Sequence, residues 1–324
     1  MKTNAIRISE YGGPDVLNYS VIDLPELKSG EARVRHTAIG LNFIDTYHRS
    51  GLYPMPLPTG LGSEAAGVVE DIANDVTAVQ VGDRVVYTGR PADSYSEHRN
   101  FDANQLVPIP DEISDEQAAA LFLKGLTAWY LLNKSYSVQP GDNILLHAAA
   151  GGVGLIACQW ARHIGAKVIG VVSTEEKAEL ARAHGCSNII MADQNIAEKV
   201  LEITNDEGVA AVYDSIGKDT FISSLDSLKP HGVMVTFGNA SGPVDPFAPS
   251  ELASRHSLYV TRPILADFIN TREKLLNASQ ALFDLVIKKI IKISINQRYA
   301  LRDTAQAHRD LESRKTTGST ILTP

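Results

Sequence analysis

HAAAGGVG, from His147 to Gly154, decides how the 324-residue chain is read. An apolar run, NILLHA, leads into it, and a periodic apolar run, GVGLIACQWARHIG, leads out. Gly151 and Gly154 keep the closing half of a Gly-x-Gly-x-x-Gly fingerprint, and Ala149 stands where the first glycine would be. Small residues let the backbone approach a pyrophosphate, and a helix N-terminus offers unpaired N–H groups and a partial positive charge. Gly154 has no side chain to obstruct helix–sheet packing. A bare Gly-x-x-Gly is equally a tight strand-to-helix turn without a ligand. The context selects dinucleotide binding, because the loop lies in a run of five strand–helix alternations.

Those alternations continue as KVIGVV, TEEKAELARAHG, NIIMA, IAEKVLEIT, VAAVYDS, DTFISSLDSL and GVMVTFG. Strands and helices alternating over short connections form a parallel sheet. The helix after the loop carries Val153, Ile156, Ala157, Trp160 and Ile164 in one stripe, fit to lie on that sheet. The residues before Asp115 differ: ARVRHTAIGLN, AAGVVEDI and VQVGDRVVYTG predict short strands between polar turns. DEQAAALFLKGLTAWYLLNK reads as a helix. In the tail, TREKLLNASQALFDLVIKKI and RDTAQAHRDLESR predict helices and GSTILTP a last strand; periodicity alone does not dock them.

Hydrophobic residues at 44% and charged residues at 21% are ordinary for a soluble globular protein. A net charge of -8 and a pI near 5.6 argue against a nucleic-acid binder. MKTNAIRISEYGG lacks the apolar core of a secretory signal. The most apolar helical stretch, Ala118 to Leu132, is broken by Lys124, which argues against a membrane span. Cys158 and Cys186, outside any Cys-x-x-Cys pair, read as reduced thiols of a cytoplasmic protein.

KVIGVV should end beside an adenosine ribose. An Asp or Glu there would hold the 2′-hydroxyl of NADH. Ser173 and Thr174 stand there instead, followed by Lys177. A hydroxyl and an ammonium accept a 2′-phosphate that a carboxylate would repel. Glu175 and Glu176 fit the first turn of a helix. The pattern favours NADPH.

A β-rich unit followed by this alternation resembles the medium-chain dehydrogenase/reductase superfamily. GLNFIDTYHRSGLYP (Gly40 to Pro54), GLGSEAAGVV, LFLKGLTAWYLL, HAAAGGVGLIACQWA, SLYVTRP and LESRKTTGS resemble, in order and over nearly the whole chain, the bacterial NADPH:quinone oxidoreductases of the zeta-crystallin-like branch. The resemblance implies a GroES-like β-rich catalytic domain of residues 1–122 with 265–324. It implies a Rossmann, doubly wound α/β domain over 123–264, with NADPH in the cleft between the domains. Zinc-dependent members of the superfamily use a Cys and a Gly-His-Glu motif; here Asn42 and Ser63 fall in those positions. The four-cysteine zinc lobe has no counterpart, and the nine histidines show no paired ligand spacing, so no metal is expected.

By the same resemblance, Asn42 and Tyr47 line the nicotinamide end and Thr127 approaches the cofactor. Gly151, Gly152 and Val153 receive the pyrophosphate. Ser173, Lys177 and Arg314 surround the 2′-phosphate. Phe237, Gly238 and Asn239 lie near the nicotinamide ribose. Ala192 stands where relatives often have a tyrosine near the adenosine, which removes one expected contact. Tyr47 or Tyr53 could donate a hydrogen bond to a quinone oxygen. By spacing alone, Asn42 and Tyr47 read as loop capping and packing, and Asp45 reads as a turn carboxylate before an acid or base.

The expected activity is a metal-free transfer of hydride, or electrons, from NADPH to a small-molecule quinone. Such a reaction asks the protein mainly for orientation and water exclusion. The alternatives are a zinc-free reductase of α,β-unsaturated carbonyls and a non-catalytic NADPH-binding crystallin or RNA-associated protein. GVMVTFG and HSLYVTRP resemble strands used for dimerisation, so a homodimer through the Rossmann strands is expected.

Overall fold

The computed structural model describes residues 1–89 and 92–324. The chain divides into two compact units, one of Met1–Lys124, Ile269–Ile287 and Ile293–Pro324, the other of Gly125–Phe268 with Lys288–Lys292. The boundary falls inside the helix Asp115–Tyr130, between Lys124 and Gly125. Residues 265–268 and 288–292 lie with the second unit.

The second unit holds a six-stranded sheet. Its spatial order is Cys186–Met191, Lys167–Val172, Asn143–Leu146, Val209–Asp214, Leu228–Thr236, Tyr259–Thr261. Every neighbouring pair is parallel. The chain therefore winds outward from Asn143–Leu146 first to one side and then to the other. The order reverses beside Asn143–Leu146, where doubly wound sheets bind ligands. Leu145, Ile169, Ile190, Val212 and Met234 form the sheet's dry core. The helix Gly152–Ile164 buries Leu155, Ile156, Ala157, Cys158, Trp160 and Ala161, while Val153 and Ile164 are only half-buried. The buried face is wider than the predicted stripe, because the helix also packs beside the helix Glu175–Ala183. Cys158 and Cys186 are both buried, with Sγ atoms 3.2 Å apart. Hydrogen bonding between them and burial push the Cys158 thiol well above its ordinary range.

Of the two runs expected at a subunit edge, GVMVTFG puts its first five residues in the strand Leu228–Thr236, which is paired on both sides. The sheet ends instead at Tyr259–Thr261, from the second run, where Tyr259 is exposed.

The first unit is a mixed seven-stranded sheet with a smaller three-stranded one. Its long strand, Glu31–Leu41, pairs antiparallel with Glu64–Ile72, His98–Asp102 and the terminal strand Ser319–Thr323. The tail is thus an integral part of this sheet. Ile295–Ala300, which carries no clear alternation, adds parallel to Ser319–Thr323. The helix Arg272–Ile287 stacks Phe283 on Phe122 with ring centroids 6.0 Å apart. Arg272 donates to the carbonyls of Asn104 and Leu106. Among the described residues no helix is long and apolar enough to cross a membrane.

Candidate active site

In the second unit, Gly151 caps the helix Gly152–Ile164 with extended backbone (φ -80°, ψ 175°) and no side-chain hydrogen bond to the first turn. The first N–H groups of an α-helix have no intrahelical acceptor, so this terminus presents donors to an anion. The loop enters through Ala148 at φ 51°, and Gly151 N–H closes it on Ala148 O at 2.9 Å. A Cβ on Gly154 would lie 2.4 Å from Ala148 O and 2.6 Å from Ala149 O. The glycine is required by the loop's own carbonyls, more directly than by the sheet. Ala149 is fully buried, and a Cβ on Gly170 would come 2.8 Å from its methyl. The space that a first glycine would leave is filled by Ala149 and accommodated by Gly170 on the next strand.

At the end of Lys167–Val172, Thr174 caps the helix Glu175–Ala183 by accepting the Lys177 N–H at 3.3 Å. Lys177 Nζ reaches Ser173 Oγ at 3.4 Å. Glu175 and Glu176 lie in the helix's first turn, and Glu175 pairs with Arg182 at 2.7 Å. Phe237 follows the strand Leu228–Thr236, its N–H held by Asp214 O at 2.8 Å. Gly238 packs against Ser215, where a Cβ would lie 2.4 Å from Ser215 O, and Asn239 O accepts from Gly242 N–H at 3.0 Å. Arg262, which the sequence reading missed, donates to Gly238 O at 3.2 Å. Thr127 is half-buried on Asp115–Tyr130, on the second unit's side of the boundary.

Behind the loop, Ser224 Oγ donates to Asp214 Oδ2 at 2.8 Å and lies 2.9 Å from His147 Nε2. The hydroxyl's proton points at the carboxylate, so the imidazole donates to Ser224. That is the reverse of a nucleophile–base pair. Burial lowers the His147 pKa, which fits a neutral donor. Asp214 also accepts from Ile216 N–H, Gly217 N–H and Thr220 Oγ1. This cluster ties strand ends together.

In the first unit, Asn42 caps the helix Phe43–Ser50 and is nearly buried. Its Nδ2 donates to Glu64 Oε1 at 2.8 Å. Asp45 receives the Asn42 N–H at 3.0 Å, Ser63 Oγ at 2.6 Å and Tyr95 OH at 2.8 Å. Burial raises the Asp45 pKa to about 6 against the pull of those donors. Beyond Tyr95 lies His308, 3.2 Å away through Nε2, and His308 Nδ1 accepts from Arg49 Nη1 at 3.0 Å. Arg49 can only donate. The neutral imidazole therefore carries its proton on Nε2 and points it at Tyr95, whose own proton points at Asp45. Burial and the Arg49 charge lower the His308 pKa to about 3. The chain ends at a guanidinium that does not release protons, so it orients Asp45 and does not reload it. Arg49 is itself clamped by both oxygens of Glu312, at 2.6 and 3.0 Å.

Tyr47 and Tyr53 meet edge to face, with ring centroids 5.1 Å apart, and the Tyr53 N–H bonds Tyr47 O at 3.1 Å. Arg314 is exposed at φ 60°, just after the helix Thr304–Glu312. It belongs to the first unit, while Ser173 and Lys177 belong to the second. The residues of the first unit missed from the sequence are Lys124, Tyr95, Arg49 and His308. Lys124 did leave a signal, since a lysine inside an apolar helical run needs a buried partner. That partner is Glu64, at 2.9 Å.

A GroES-like unit joined to a Rossmann unit defines the medium-chain dehydrogenase/reductase class. Residues 28–111 match the alcohol dehydrogenase GroES-like domain, and residues 152–281 match the zinc-binding dehydrogenase family. The chain is 52% identical to a quinone oxidoreductase of Pseudomonas aeruginosa, over 98% of this chain and 99% of the relative. It is 45% identical to a 2-haloacrylate reductase of a Burkholderia species, over 98% of each. The crystal structure of Escherichia coli quinone oxidoreductase complexed with NADPH superimposes with a TM-score of 0.97 at 47% identity, covering 99% of this chain and 100% of that one. The chain belongs to the bacterial quinone oxidoreductase family.

Proposed function

We propose that this protein is an NADPH-dependent quinone oxidoreductase that transfers hydride to a quinone without a metal. The observation that carries the reading is the glycine loop. Its uncapped helix N-terminus and the closeness of Gly154 to two carbonyls suit a pyrophosphate cradle. Gly151, Gly152 and Val153 hold the pyrophosphate, Ser173 and Lys177 with Arg314 hold the 2′-phosphate, and Phe237, Gly238 and Asn239 flank the ribose. Thr127 and Asn42 approach the nicotinamide. When bound, the reduced nicotinamide supplies hydride to an electron-poor acceptor. Tyr47 and Tyr53 orient the acceptor and donate a hydrogen bond to its oxygen.

Metal independence is supported by the donor set. Asn42 spends its N–H on Glu64, Ser63 spends its O–H on Asp45, and Glu64 already meets the Lys124 ammonium. Among the described residues no three His, Cys, Asp or Glu side chains converge as metal ligands. The open edge at Tyr259–Thr261 supports a homodimer, and light scattering that reports a monomer at micromolar concentration would count against it.

The similarity to a 2-haloacrylate reductase supports a second reading, reduction of an activated alkene. Both readings meet one test: NADPH oxidation followed by absorbance with benzoquinone, phenanthrenequinone and a panel of enones. Turnover on quinones is the expected result; turnover on enones alone selects the second reading. NADPH binding without oxidation on any acceptor sinks both.

A further inference from the structure

Glu64 is wholly buried, and Lys124 is nearly so. Oε1 of Glu64 accepts from Asn42 Nδ2 at 2.8 Å and from Lys124 Nζ at 2.9 Å, and Oε2 accepts from the Leu123 N–H at 2.6 Å. Gly40 stands directly across the sheet from Glu64, and a Cβ there would lie 2.2 Å from Oε1. Strand, helix and a missing side chain all fix this one carboxylate. A buried ion pair gains little stability over well-packed apolar residues, because desolvation offsets the attraction. The pair therefore calls for an account other than stability, and its third partner gives one. An asparagine amide has a donor end and an acceptor end of nearly the same shape. Oε1 only accepts here, so Asn42 turns its NH2 toward Glu64 and its carbonyl oxygen away.

We propose that Glu64 and Lys124 are positioning residues for the reaction: the ammonium locks the carboxylate, and the carboxylate fixes which end of the Asn42 carboxamide meets the nicotinamide end of the cofactor. The proposal rests on the reading of Asn42 as a cofactor contact. It adds to the N-cap role that Asn42 fills at the helix Phe43–Ser50. It also gives Lys124 a task that neither packing nor helix propensity requires.

The test is a mutant cycle with Asn42→Ala, the isosteric pair Glu64→Gln/Lys124→Met, and all three together. The measurements are kcat, KM for NADPH, and a melting curve for each. Asn42→Ala should lower kcat roughly tenfold, the loss of about one well-placed hydrogen bond. The pair variant lets the amide turn either way. It should show a similar loss in kcat, with KM for NADPH changed by less than about twofold. The triple variant should be no slower than Asn42→Ala, because coupled residues are not additive. Wild-type kcat in the pair variant beside a slow Asn42→Ala overturns the proposal alone, as do losses that multiply in the triple variant. Wild-type kcat in Asn42→Ala removes the reading of Asn42, and the proposal with it. If the pair variant does not fold, Glu64→Leu/Lys124→Leu replaces it; failure of both to fold makes the pair structural and overturns the proposal.

Discussion

In the second unit, the candidate cofactor site is made of backbone: a helix terminus, a left-handed Ala148 and glycines whose missing Cβ atoms leave carbonyls in reach. In the first unit, the candidate site is made of side chains drawn from Asn42, Asp45, Ser63, Glu64, Tyr95, Lys124 and His308. A backbone cradle is written in eight consecutive residues. A side-chain network is written across more than two hundred and exists only when the sheet brings its members together. The first kind tolerates changes around it that spare its glycines. The second holds buried charges and is sensitive to the loss of any one partner.

Lys124→Met tests that sensitivity most strongly. It leaves Glu64 buried without its ammonium and should lower stability by about 3–5 kcal/mol, read from denaturant unfolding. The Glu64→Gln/Lys124→Met pair should recover most of that stability. If the single change is neutral, the first unit's network is no more fragile than the glycine loop.

Acid should also act on the first unit. His308 and His36 are buried neutral with pKa values lowered from 6.5 to about 3, in both cases mainly by burial. Their contribution is fully present above pH 6.5 and is lost as pH falls toward 3. Asp45 runs the other way: its pKa is raised from 3.8 to about 6, so its contribution is present at low pH and is lost as pH rises through about 6. His308→Gln should therefore flatten the acid limb of stability between pH 6.5 and 3, by an amount on the order of a few kcal/mol. An unchanged limb in melting curves over that range would show that His308 is not buried neutral.

Arg314→Ala probes the proposed 2′-phosphate contact. A hydrogen bond to a charged group contributes roughly 1.5–3 kcal/mol. The change should weaken NADPH by roughly 10- to 150-fold and leave NADH little affected. Lys177→Ala should show the same asymmetry with a smaller loss, since lysine meets a phosphate as a point charge. Equal weakening of both cofactors would make these residues structural. The smallest expected effect is that of exhaustive chelation, which should leave quinone turnover unchanged. Loss of rate with stoichiometric zinc removed would overturn the metal-free reading.

The strand–helix alternation and its loop were legible because parallel strands buried on both faces are continuous apolar runs with short connections. The tail was not. Ile295–Ala300, INQRYA, buries no residue fully and shows no apolar–polar alternation in sequence, and it became a strand only by pairing with Ser319–Thr323. The two runs expected at the subunit edge could not be ranked from sequence, since both are β-branched; only strand order placed one inside and one outside. Asp45 and Lys124 each have partners that spacing does not show. The first looked like a turn carboxylate and is fully buried under three donors. The second served only to argue against a membrane helix and is paired with Glu64.

By itself the sequence determined what depends on neighbours along the chain: a doubly wound sheet, a glycine-rich strand-to-helix turn, hydroxyls and a lysine in place of an acid after KVIGVV, and the motif order of a family. The tertiary structure alone decided what depends on neighbours in space. Gly40 must be a glycine because Glu64 lies across from it, and Asn42 must turn its NH2 inward because Glu64 only accepts. His308 must carry its proton on Nε2 because Arg49 occupies Nδ1. The reason is physical: local geometry follows from steric limits on a few residues, whereas the direction of a buried hydrogen bond follows from whatever partner folding places at 3 Å.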